Sequence, residues 1–196
     1  METIDSQTWI IIAAIVVLGA VVVGAWFFYQ KKQSNKLQER FGPEYDRTVN
    51  ELGSRTKGET ELKAREKRVE RLDILPVAGP EAARFTEAWR ALQSRFVDNP
   101  KGVVVEAEQL VRELMEKRGY PMGDFERRAG DISVDHPDVV ANYRSAQSIA
   151  VRDQQGTADT EELRKAVVHY RALFDELLEV REPKQEVIAE KRVAAR

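Results

Sequence analysis

The chain has 196 residues, with 31 Lys and Arg against 33 Asp and Glu, a net charge of −2, and no cysteine. Without cysteine there is no disulfide, thiolate metal site, cysteine nucleophile or cysteine-linked lipid. Residues 74–180 hold 14 basic and 19 acidic side chains, a poor match for phosphate backbones, so no nucleic-acid partner is expected.

The chain opens with a short flank, residues 1–8 (METIDSQT), that carries Glu2 and Asp5 and no basic side chain. Trp9 to Tyr29 then supplies 21 consecutive residues without a charge. At ~1.5 Å per residue such a helix spans roughly 30 Å, the thickness of a bilayer's hydrocarbon core. Its Ile, Val and Leu residues fall on every face, which suits lipid better than one side of a small core. Trp9 at one end and Trp26 to Tyr29 at the other match the aromatic belts of a membrane interface. A cleavable signal peptide has a basic start, an apolar stretch of roughly 7–15 residues and small residues at its end. Here the start is acidic, the run is longer, and bulky WFFYQKK follows. Residues 9–29 are therefore predicted as a retained, single-pass transmembrane helix.

Lys31, Lys32, Lys36 and Arg40 follow directly, and basic residues resist translocation. The N-terminus is expected outside and the C-terminal domain in the cytoplasm. The expected membrane-interface residues are Trp9, Trp26, Tyr29, Lys31, Lys32, Lys36 and Arg40. The basic cluster acts first as a topology signal and also attracts anionic headgroups, at ~1 kcal/mol per basic residue. Ala20 and Gly24 form a small-xxx-small pair, a spacing that lets two helices approach but recurs by chance in such anchors.

Residues 30–79 read as a charged helical stalk and connector. Sparse apolar positions (Phe41, Tyr45, Val49, Leu52, then Leu62, Val69, Leu72) recur at helical intervals. Gly42-Pro43 interrupts the helix, and Gly53 and Gly58 are expected to weaken it again. Leu72 to Pro80 (LDILPVAGP) is an extended connector, since its two prolines exclude helix between them.

Residues 80–180 repeat one pattern. A helix opening at Pro80 carries Phe85, Trp89, Leu92 and Phe96. A second, after Asn99-Pro100, carries Val103, Val104, Ala107, Leu110, Val111, Leu114 and Met115 and stops at Gly119. A short helix near 123–131 bridges to a third, after His136-Pro137. A fourth opens on the capping box Asp159-x-x-Glu162. No segment alternates with period two, so the fold class is all-α, a compact bundle of about four helices behind the stalk. The tail, residues 181–196, is charged and expected to be loosely ordered.

Chemistry is sparse. His136 sits in Asp135-His136-Pro137-Asp138, a helix start where capping and turn structure account for it. His169 lies beside Tyr170 as a packed or boundary side chain. Two histidines alone specify no metal, and no phosphate-binding glycine loop, Gly-x-Ser-x-Gly elbow or His-Glu-x-x-His occurs. No catalytic residue, cofactor or metal is expected. Trp89-Arg90, Tyr143-Arg144 and Tyr170-Arg171 repeat an aromatic–Arg step. Neighbours point about 100° apart on a helix, so each Arg either covers the core edge with its stem or lines a groove for an acidic or helical partner.

Five stretches resemble, together, an uncharacterised family of bacterial single-pass membrane proteins with a stalk and a helical C-terminal domain. They are FGPEYDRTV (41–49), AREKRVERLDI (64–74), WRALQSRFVDNP (89–100), GDFERRAGDISVDHPDVVANYR (123–144) and LRKAVVHYRALFDELL (163–178). The resemblance implies the bacterial plasma (inner) membrane and attaches no activity. The expected function is a membrane-anchored interaction or scaffold protein, with the lipid bilayer and a protein partner or a second copy as its partners. One alternative is an enzyme or ligand-binding domain with a pocket between helices near His136 and His169. Another is a self-associating, membrane-organising structural protein.

Overall fold

The computed structural model describes residues 6–178, with the side chains of 6–17, 20, 22, 23, 26 and 27 outside that description. The tail at 181–196 and the start of the N-terminal flank also lie outside it. Every regular element among the described residues is an α-helix, so the all-α class holds. In chain order the helices are α1 (Ser6–Phe41), α2 (Pro43–Leu52), α3 (Arg55–Val69), α4 (Gly79–Ser94), α5 (Pro100–Arg118), α6 (Phe125–Asp135), α7 (Pro137–Gln154) and α8 (Thr160–Leu178). Among the described residues, no helix is long and apolar enough to cross a membrane. Most side chains of the expected span, 9–29, are outside the described ones, although its backbone belongs to the single continuous helix α1.

The chain divides into two compact units, residues 1–62 and 63–196. The division falls inside α3, within the segment that charge patterning groups as stalk.

In the first unit, α1 runs without a break from the apolar stretch into charged sequence and ends where Gly42-Pro43 starts α2. Leu37, Phe41, Tyr45 and Leu62 are buried. Gly58 lies within α3, and a Cβ there would meet Val49 Cγ2 at 2.7 Å and Val49 Cα at 2.9 Å. The residue that costs helix propensity is the one that lets α3 cross α2 closely.

In the second unit the connector is extended as expected, tied by Leu75 N–H donating to Arg118 C=O at 2.9 Å. Gly119 ends α5 with φ +98°, and a Cβ there would stand 2.5 Å from Asp73 C=O. Only glycine serves, for both the left-handed backbone and the contact. Asn99 caps α5 through Gly102 N–H, and Asp124 caps α6 through Arg127 N–H. The Asp159/Glu162 capping box forms in both directions, Glu162 N–H to Asp159 Oδ1 at 2.8 Å and Asp159 N–H to Glu162 Oε2 at 3.1 Å.

Among the described residues the bundle therefore has five helices, because the expected bridge at 123–131 extends to Asp135 as a full helix, α6. Arg128 to Val134 are all buried, seven positions in succession. Pairs between α7 and α8 run antiparallel, with Arg152 to Glu162 near the turn and His136 to Glu176 at the far end. Trp89 stacks on Phe174 with centroids 4.6 Å apart and planes at 24°, joining α4 to α8. Tyr143 lies 4.8 Å from Phe125 and 6.3 Å from Tyr170, joining α6, α7 and α8. Offset and tilted pairs of this kind add to the area they bury.

Candidate functional site

On α1, Phe28, Lys31, Lys32, Asn35, Lys36 and Glu39 follow spacings of 3, 1, 3, 1 and 3 and are all exposed. At 100° per residue these six fall on one face. Ser34, Leu37 and Phe41, on the opposite face, are buried. Of the interface residues expected from sequence, Lys31, Lys32 and Lys36 thus share a face. Tyr29 and Arg40 are exposed on its flank, and Tyr29 accepts a hydrogen bond from Gln33 Nε2 at 3.0 Å. The side chains of Trp9 and Trp26 lie outside the described residues. Phe28, on the lysine face, is absent from that expected set and joins it only once the face is drawn.

A polar knot holds the buried side of α1. Tyr45 OH donates to Glu59 Oε1 at 2.9 Å, and Arg55 Nε–H reaches the same oxygen at 3.0 Å. Ser34 Oγ also donates to Glu59 and accepts from Arg55 Nε–H at 3.0 Å. The Glu59 hydrogen bond raises Arg55 above the ordinary arginine value. The knot ties α1, α2 and α3 at one level and fixes which way the lysine face points.

The second unit carries a buried polar cluster on α6. Arg68 Nε–H donates to Asp131 Oδ1 at 2.6 Å, and Asp131 is fully buried. Its Oδ2 is buried without a hydrogen-bond partner. The Arg65 guanidinium lies over Gly130, where a Cβ would stand 3.2 Å from Nε. Arg128 donates to Tyr143 OH at 3.1 Å and to Gly123 C=O at 2.6 Å. Buried charges persist where partners satisfy them. The cluster anchors α6 from two directions while offering no nucleophile or converging acid–base pair.

Three tyrosines are held in the neutral form. Burial pushes Tyr120 well above its ordinary value, with the Asp135 carboxylate, its acceptor at 3.3 Å, adding to the effect. Tyr170 is pushed up by burial, then by Glu108. Burial raises Tyr143 although the Arg128 hydrogen bond opposes it. All three act as neutral phenols, not as phenolate bases.

The histidines stand apart. His136 closes α6 and precedes α7, but its side chain makes no cap. Nδ1–H donates to Glu176 Oε1 at 2.9 Å, and Nε2 is buried without a partner. His169 Nδ1–H donates to Asn142 Oδ1 at 2.8 Å. Residues 169 and 176 are two turns apart on α8, roughly 10 Å, so the two imidazoles hold separate levels. Among the described residues no group of three His, Asp or Glu is placed to hold a metal. An open cleft of about 200 Å³ along α5 is lined by Gln109, Arg112, Glu113, Glu116 and Met122, and neither histidine lines it.

Comparison with family models, with curated proteins and with solved structures finds no match to this chain. The site is therefore read from its own residues.

All three aromatic–Arg steps bury the aromatic, and the covering arrangement is seen at Arg144. Trp89, Tyr143 and Tyr170 are buried. Arg144 bonds Glu126 at 2.7 Å with its guanidinium 5.9 Å over Phe125, and Arg171 bonds Asp175 at 3.3 Å. Sequence reasoning missed the knot and the α6 cluster. Their long-range links, such as Tyr45–Glu59 at 14 residues and Arg68–Asp131 at 63, leave no local pattern in the sequence.

Proposed function

We propose that this is a membrane-anchored interaction protein, held by α1 in a bacterial plasma membrane with the helical bundle on the cytoplasmic side. One observation carries the reading. Leu18, Val21, Phe28 and Tyr29 of α1 are 62–74% exposed. Large apolar side chains held this exposed favour a non-aqueous surrounding, and the charge-free run from Trp9 to Tyr29 has the length of a bilayer core. The basic residues after the run favour retention of that side in the cytoplasm. The bacterial plasma-membrane setting is what the five-stretch resemblance implies. The bundle, anchored from α6 and faced with charged side chains, suits docking a protein partner or another copy of the chain more than chemistry.

Cross-linking of the full chain in native membranes tests the reading. A discrete cross-linked species is expected, lost when residues 79–178 are deleted while the anchor is retained. The same species in both forms, or none in either, contradicts a bundle that recruits a partner.

A further inference from the structure

We infer that the Phe28, Lys31, Lys32 and Lys36 face of α1 binds the headgroups of anionic phospholipids in the leaflet next to the bundle. The inference rests on the anchored reading and adds a ligand class to it.

Four observations lead there. First, the lysines occupy one side of the helix, opposite Ser34, Leu37 and Phe41, which are buried. The polar knot of Ser34, Tyr45, Arg55 and Glu59 fixes that rotation, so the face cannot turn inward. Second, no ion pair within the protein engages Lys31, Lys32 or Lys36 among the described residues, which leaves their ammonium groups to an outside anion. Third, Phe28 stands one turn before them on the same side, on the apolar flank of the charge change. An aromatic there sits at the level where acyl chains meet glycerol, with cations one turn further out. Fourth, helical side chains lean toward the N-terminus, so lysines that follow the apolar run reach back toward the bilayer. Glu39, the acid on this face, lies beyond Lys36 and furthest from the apolar run.

Any cation cluster beside the bilayer gains some attraction to anionic lipid, and lysines gathered on one face next to Phe28 concentrate that gain into one site. A headgroup site gains roughly fivefold in affinity for each near-surface lysine, and loses it as salt rises. Charge complementarity names the occupant as a phospholipid with a net negative headgroup. Free phosphate has the same anionic oxygens but lacks the acyl chains that would hold it beside Phe28.

Full-length protein reconstituted in vesicles tests this with lipids brominated in the acyl chain. Bromine quenches tryptophan at short range, and Trp26 stands two residues before Phe28 in the sequence, at the end of the apolar run next to the lysines. At equal mole fraction, brominated phosphatidylglycerol is expected to quench severalfold more effectively than brominated phosphatidylcholine. Lys31→Gln, Lys32→Gln and Lys36→Gln together should bring the two lipids level, and the three Lys→Arg changes should keep the preference. Added inorganic phosphate at matched ionic strength should not compete. Equal quenching by the two lipids in the unaltered protein overturns the headgroup site while leaving the anchor intact. Loss of preference to phosphate also overturns it, in favour of a free-anion site. Absence of quenching by either lipid overturns the anchored reading itself.

Discussion

Trp89 shows how one side chain joins sequence periodicity to packing. Its 4-residue step from Phe85 and 3-residue step to Leu92 place it on the inner face of α4, and the ring stacks on Phe174 of α8. Trp89→Ala is expected to cost ~3–5 kcal/mol, the range for emptying a large core site. Urea unfolding measures it, and an unchanged midpoint would contradict burial. The buried tyrosines make a second prediction, with a definite sign. Burial raises Tyr120, Tyr143 and Tyr170 above the ordinary 10.0, so the unfolded chain ionises first as pH rises. Stability is complete below about pH 10 and falls above it. Unfolding midpoints across that range test this, and Tyr170→Phe should flatten the slope. A midpoint flat through the range would contradict it. Such residues were legible because they sit on regular apolar stripes. Asp131 and Arg128 were not, since each is polar on a buried helix and is explained only by a partner distant in sequence.

Element by element, the readable features were local ones. Gly119, the Asp159/Glu162 capping box and the proline-bounded connector each carry a signal within a few residues, and all three stand where the sequence places them. α6 was legible as a helix but not as the most buried one, because its charges disguise its role. The packing role of Gly58 was hidden for a related reason. Propensity scales register the cost of glycine in a helix and cannot register the Val49 backbone that an added Cβ would meet at 2.9 Å. A distinct prediction follows. In an isolated helix Gly→Ala gains about 1 kcal/mol. Here Gly58→Ala should destabilise the first unit, seen as faster proteolysis within residues 42–62, and slower proteolysis would contradict the close crossing. The lysines after the apolar run make an orientation prediction at the same scale. Neutralising Lys31, Lys32, Lys36 and Arg40 while adding Lys near the N-terminus should invert or scramble topology, read by a reporter at the C-terminus. A reporter still wholly cytoplasmic would contradict charge-set orientation.

Across the whole molecule, two units of different character share one chain. The first is tied by a small polar knot and continues the helix that begins in the apolar run. The second is a five-helix bundle with an aromatic centre and an internally paired charge cluster. Architecture was legible because hydrophobic period and turn residues dictate it. Function was less so, because the sequence carries no motif that names a chemistry. The central claim is that α1 resides in lipid, and extraction of native membranes with alkaline carbonate tests it most directly. Full-length chain retained in the membrane pellet is the predicted result, whereas release into the supernatant would contradict the account.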